Sequence, residues 1–140
     1  MTIALKDIPS GVLPVFFRKA ADGATADSEI SVFYADVKYK VIAAGYVPDS
    51  AITGQDTNYR SISFVDKGTD GSGTTALKTA IAFTNGVDAA ALDFKSMIAK
   101  ADGATIAAGH VVSFKSAHTG ASGLALPAGT GVLLLWPISE

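Results

Sequence analysis

Cysteine is absent from all 140 residues, which excludes disulfides, thiolate metal ligation, iron–sulfur clusters and thiol catalysis together. Glutamate is scarce: Glu29 and the terminal Glu140 are the two in the chain. There is no excess of basic residues, since 11 Lys and Arg meet 13 Asp and Glu, for a net charge of −2. A general phosphate-backbone binder needs a basic stripe, so composition argues against nucleic acid as a partner. No apolar run approaches the roughly 18 residues of a membrane-spanning helix, and no membrane partner is expected. The opening Met1-Thr2-Ile3-Ala4-Leu5-Lys6-Asp7 places no basic stretch ahead of an apolar one, so no secretory leader is expected.

Small residues fill much of the chain. Twenty-four alanines, with glycine, serine and threonine, occupy 62 positions, against 44 large apolar residues. A chain of this length buries roughly 70% of its unfolded surface, enough for one core without staples.

Alternation with a period of two dominates the patterning. Ile30, Val32 and Tyr34 share one face of a segment from Ser28. Val37, Tyr39, Val41 and Ala43 oppose Lys38 and Lys40, and Ile62 and Phe64 alternate with Ser61 and Ser63. Residues 74–83 alternate more weakly, and Val112 and Phe114 share a face after His110. Such strands have one buried and one wet side, as in antiparallel sheets. Val12–Phe17 and Val132–Trp136 are instead apolar on both faces, so their second face is covered by the chain's own loops or by another subunit. Pro9 and Pro14 push the first of these towards an edge or an arm.

Turn-forming clusters separate the strands. Ala21-Asp22-Gly23-Ala24-Thr25 recurs verbatim as residues 101–105, and reads as two independent turns rather than a repeat. Lys67–Gly73 contains an Asp-Gly pair suited to a hairpin. One short helix is expected near residues 88–100, capped by Asp88, stapled by Val87 onto Leu92, and bounded by Gly86 and Gly103. The predicted fold is all-β: an antiparallel β-sandwich of about eight strands, jelly-roll-like, with that one helix.

No catalytic or cofactor constellation is present in the pattern. His110 is followed by Val111 and Val112, so the His-x-His spacing of a strand-borne metal site is missing, and both His110 and His118 read as surface or loop residues. No Gly-x-Ser-x-Gly elbow occurs, Gly120-Ala121-Ser122-Gly123 having the wrong spacing. Gly68–Gly73 lacks the Gly-Lys-Ser/Thr ending of a P-loop, and Asp56, Asp66 and Asp70 do not reproduce a calcium loop. The aspartates fall mostly at turns and strand ends, where carboxylates bond local backbone. Lys38, Lys40 and a neighbouring Arg60 read as a solvated sheet surface, because Tyr39 faces away from both lysines. The chain is therefore expected to be non-enzymatic, with no cofactor and no metal.

Residues 46–67, from Tyr46-Val47-Pro48-Asp49 through Thr53-Gly54-Gln55-Asp56-Thr57-Asn58-Tyr59 to Asp66-Lys67, resemble small structural proteins of tailed bacteriophages. These are β-sandwich virion proteins that include head decoration (cement) proteins. Ile106–Phe114 and Gly120–Pro127 are similar as well, so the resemblance covers roughly residues 28–138. It departs at His110, where an aspartate is usual after the equivalent of Gly109. The resemblance implies a capsid decoration protein that binds the major capsid protein on the outer surface of the phage head and bridges its subunits. It also implies a homo-oligomer, a trimer fitting local threefold positions. Residues 1–11 are read as an extended N-terminal arm and 12–140 as one sandwich domain, with Leu5, Ile8, Pro9, Val12, Leu13 and Phe16 as the partner interface. The alternatives are a tail or head-fibre component, or a carbohydrate-binding module that takes a surface glycan. The latter needs an exposed aromatic platform, and Trp136 lies in a run that reads as buried.

Overall fold

In the computed structural model, described over residues 11–97 and 104–138, the alternating segments pair into two antiparallel sheets. Six longer segments form β1 (Leu13–Lys19), β2 (Ser28–Tyr34), β3 (Tyr39–Pro48), β4 (Tyr59–Asp66), β9 (Val111–Thr119) and β10 (Gly129–Pro137). Four two-residue strands lie between them: β5 (Thr75–Ala76), β6 (Ile81–Ala82), β7 (Lys95–Ser96) and β8 (Thr105–Ile106). The first sheet runs β1-β10-β3, with β7 and β8 both on the far edge of β3. The second runs β2-β9-β4, with β5 and β6 both on β4.

The sheets pack face to face through aromatic rings. Phe17 of the first sheet meets Phe64 and Phe114 of the second edge-on, at 5.9 and 5.4 Å between centroids. Tyr46 stacks on Phe114 at 5.5 Å, and its hydroxyl donates to the Pro127 carbonyl. Burial pushes the Tyr46 hydroxyl well above the usual tyrosine range, as expected of a phenol held inside a core. Ile62, Phe64, Val112 and Phe114 are all fully buried, as the alternation requires. Gly131 is what lets Phe17 in: opposite it in register, a Cβ would overlap the Phe17 ring.

Two bulges break the expected alternation. The register between β3 and β10 skips Ile42, so Tyr39 and Val41 point inward before it, and Ala44 and Tyr46 after it. Ala43, expected to share a face with Val41, is turned outward. The register between β2 and β9 skips Val32, which brings Phe33 against Tyr39 at 5.1 Å and leaves Tyr34 exposed. An extra residue reverses facing for everything beyond it.

The helix expected near residues 88–100 does not form over its described part, residues 88–97. Ala89 exchanges two 2.9 Å backbone bonds with Ile52, Leu92 takes a left-handed φ of 60°, and β7 pairs with β3. Asp88 accepts from the Gly54 amide at 2.7 Å instead of capping a helix. Burial of Ala89 and Met97 against the sandwich overrides the helical preference of the three alanines. Residues 98–100 lie outside the described residues.

Candidate docking surface

Register alone places the outward side chains of the first sheet in rows. Arg18, Thr130 and Val47 form one end; Phe16, Val132 and Gly45 come next, followed by Pro14, Leu134 and Ala43. Trp136 opposite Lys40 closes the other end. The Phe94 ring lies over Gly45, where a side chain would collide with it, and extends the apolar surface towards β7. Phe16 is 63% exposed, Trp136 47% and Phe94 43%. No described loop covers these rings. The segments apolar on both faces thus bury one face in the core and present the other to solvent.

The outward face of the second sheet is of the opposite character. Its rows read Ser31, Ser113 and Val65; then Glu29, Lys115 and Ser63; then Ala117 and Ser61. Ser113 donates to Glu29 at 2.6 Å, and Lys67 lies 3.3 Å from the same carboxylate. The Ser113 hydroxyl, aided by Lys67, holds Glu29 below the usual carboxylate range. This face is polar, and Ser113 and Val65 within it are buried. The first sheet's outer face is apolar and carries exposed rings.

At the Arg18 end, charge is neutralised within the chain: Arg18 contacts both carboxylate oxygens of Asp49, at 3.1 and 2.6 Å, and also Thr130. This bond to Asp49 raises Arg18 and lowers Asp49 from their ordinary values. At the Trp136 end, no described carboxylate pairs with the Lys38 or Lys40 ammonium.

Of the interface residues expected from sequence, Leu5, Ile8 and Pro9 lie outside the described residues, as does the arm except for Gly11. Val12 is half-buried just before β1. Leu13 pairs with Leu135 in the inward-facing row and is exposed at the sheet edge, so in the structure Phe16 joins the apolar face and Leu13 does not. Val132, Leu134, Trp136 and Phe94 belong to that face and were not singled out. The signal for three of them was present, in the apolar run that fills both faces of β10.

Arg60 requires a correction. It is fully buried on the inner side of the second sheet, not part of a cationic surface beside Lys38 and Lys40. Its guanidinium donates to the carbonyls of Leu124, Ala26, Gly23 and Ala24 and to the Ser116 hydroxyl, at 2.6 to 3.2 Å. Asp22 stands 3.6 Å away and also binds Lys19 at 2.9 Å and Ser28 at 2.8 Å. Burial pushes Asp22 up, but the bonds from Lys19, Ser28 and Ser116 outweigh it and leave the carboxyl below its usual range. This cluster ties down the first Ala-Asp-Gly-Ala-Thr turn. The second copy lies partly outside the described residues.

The two histidines stand at opposite ends of β9, each bound through Nδ1 to an aspartate: His110 to Asp66 at 2.9 Å and His118 to Asp27 at 2.7 Å. Asp66 also accepts from the Gly68 amide, and Asp27 from the His118 amide. These contacts brace strand ends. Among the described residues no three His, Asp or Glu side chains gather as a metal site. A cleft of about 480 Å³ between β6 and β7 is lined by Ile81, Ala82, Val87, Lys95 and Ser96 among others, with no carboxylate or imidazole for acid–base work.

The fold and its faces define a two-sheet antiparallel β-sandwich with one apolar outer side. The sequence matches no family model and no curated protein. Among solved structures it is similar to a chain of the infectious bursal disease virus Gx strain, with a TM-score of 0.41 and 14% identity over 91% of this chain. The matched region is 33% of that neighbour, so this chain spans about a third of its length.

Proposed function

We propose that this is a non-enzymatic structural protein of a tailed-phage virion. In this reading it is a decoration protein that binds the outer surface of the assembled head and bridges major capsid protein subunits. One observation carries the reading: the outward face of β1-β10-β3 is apolar, while that of β2-β9-β4 is polar. Monomeric domains seldom expose a contiguous apolar patch of this kind, and such patches mark association sites. Docking on a finished shell needs complementary surface rather than a reactive site.

Two further features support it. Counting β5 with β6 and β7 with β8 as interrupted single strands, the sheet orders β1-β10-β3-β7/β8 and β2-β9-β4-β5/β6 support the jelly-roll reading proposed here. That architecture serves viral capsid and lectin domains. The resemblance of residues 46–67, 106–114 and 120–127 to phage virion proteins points the same way.

Purified protein added to undecorated heads should co-sediment with them and delay their heat-induced rupture. Failure to bind would overturn the reading. Association as a trimer belongs to the same proposal and is checked by mass photometry. The half-exposed Trp136 gives the carbohydrate-module reading an observation in its favour. Against it, the adjoining row of Pro14, Leu134 and Ala43 offers no hydrogen-bonding side chain, and Lys40 opposite the ring is a cation with no described carboxylate beside it. A clear hit on a glycan array, without head binding, would reverse that preference.

A further inference from the structure

We infer that the apolar face is directional, and that Lys38, Lys40 and Trp136 select a protein surface carrying carboxylates beside an apolar patch. The inference rests on the docking role proposed above and names the chemistry of the partner. The lysines stand on either side of Tyr39, whose ring turns inward. Lys40 lies opposite Trp136 across the β3–β10 ladder. The nearby carboxylate of Asp36 is engaged by the Tyr39 hydroxyl at 2.6 Å and the Val37 amide at 3.0 Å. Lys78 is buried and does not reach the face: burial first and Lys40 second push its ammonium below the usual lysine range. Among the described residues no carboxylate pairs with Lys38 or Lys40. At the other end of the face, by contrast, Arg18 already has Asp49.

Positive charge thus borders the apolar rows at one end only. A partner with carboxylates placed to meet it gains attraction at that end and a fixed orientation along the face. The chain's net charge of −2 and the small number of free cations disfavour a nucleic acid or an anionic membrane, which require many basic contacts.

The test compares binding of the full chain to undecorated heads across a salt series for the wild type, K38E/K40E, K38Q/K40Q and K115E. Lys115 is exposed on the polar face and serves as the control. With melting unchanged, K38E/K40E should lose on the order of tenfold or more in affinity, and K38Q/K40Q less. Salt dependence should be weakened in both, and K115E should bind as the wild type does. Wild-type affinity in K38E/K40E, together with weakened binding of F16S/W136S, would overturn this inference and leave the docking role standing. A wild type that fails to bind heads overturns the docking role and this inference with it. Retention of the wild type by phosphatidylserine vesicles or by oligo-dT, lost in K38E/K40E, would overturn the inference in favour of those partners.

Discussion

Arg60 spends all its donors on groups far away in the chain. Its parity with Ile62 and Phe64 already placed it on the inner side of β4, and the charge of an arginine argued for solvent. Parity was the better guide. The acceptors come from residues 23–26 and from Leu124, and no local pattern marks them as a site for a cation. Removing the guanidinium leaves several buried carbonyls unpaired and leaves Asp22 with Lys19 as its remaining cation. Arg60→Met should therefore cost roughly 3–5 kcal/mol in denaturant unfolding. Arg60→Lys should also destabilise, since an ammonium offers three donors where five are in use. Asp22 makes the same cluster sensitive to acid. Its folded pKa lies below its unfolded value near 3.9, so its contribution is complete above about pH 4 and fades as pH falls through the lower folded value. Asp27, Glu29, Asp36, Asp49 and Asp70 are lowered too and act in the same direction. The melting temperature should hold from neutral pH to about 5 and drop below about 4. Asp22→Asn should melt lower at pH 7 and show a shallower acid slope.

Strands were the legible elements, and their facing was legible up to each bulge. Ile62–Phe64 and Val112–Phe114 pointed inward as their alternation required. In β3 and β2 one unpaired residue reversed the pattern, and nothing in the local sequence at Ile42 or Val32 announces an insertion. The expected helix at 88–100 failed for a related reason. Its alanines favour a helix locally, but the Ile52–Ala89 bridge and the β7–β3 pairing depend on distant residues. Deleting Ile42 tests the importance of the β3 bulge. The deletion would close the ladder into unbroken alternation, with Val41 and Ala43 still opposite Leu135 and Leu134 and Tyr46 still facing Phe114. The variant should keep cooperative unfolding by near-UV circular dichroism; its loss would mean that the bulge itself, and not only the facing it produces, is required.

At the scale of the whole molecule, the surplus of apolar residues in β1 and β10 was readable, and its location was not. Alternation says that a strand is apolar on both sides; only the sheet order shows that one of those sides is an outer face. There Phe16 and Trp136 contribute little to the core. Phe16→Ser with Trp136→Ser should cost roughly 1–3 kcal/mol, for the buried part of each ring, and abolish binding to heads under conditions where the variant is still folded. A larger loss of stability would make these rings structural. Docking through the β1-β10-β3 face is checked by an image reconstruction of heads saturated with the protein. Density for the sandwich is expected on the outer shell, with Phe16, Val132, Leu134 and Trp136 against the capsid protein. Density with β2-β9-β4 against the shell and the apolar face open to solvent would contradict it.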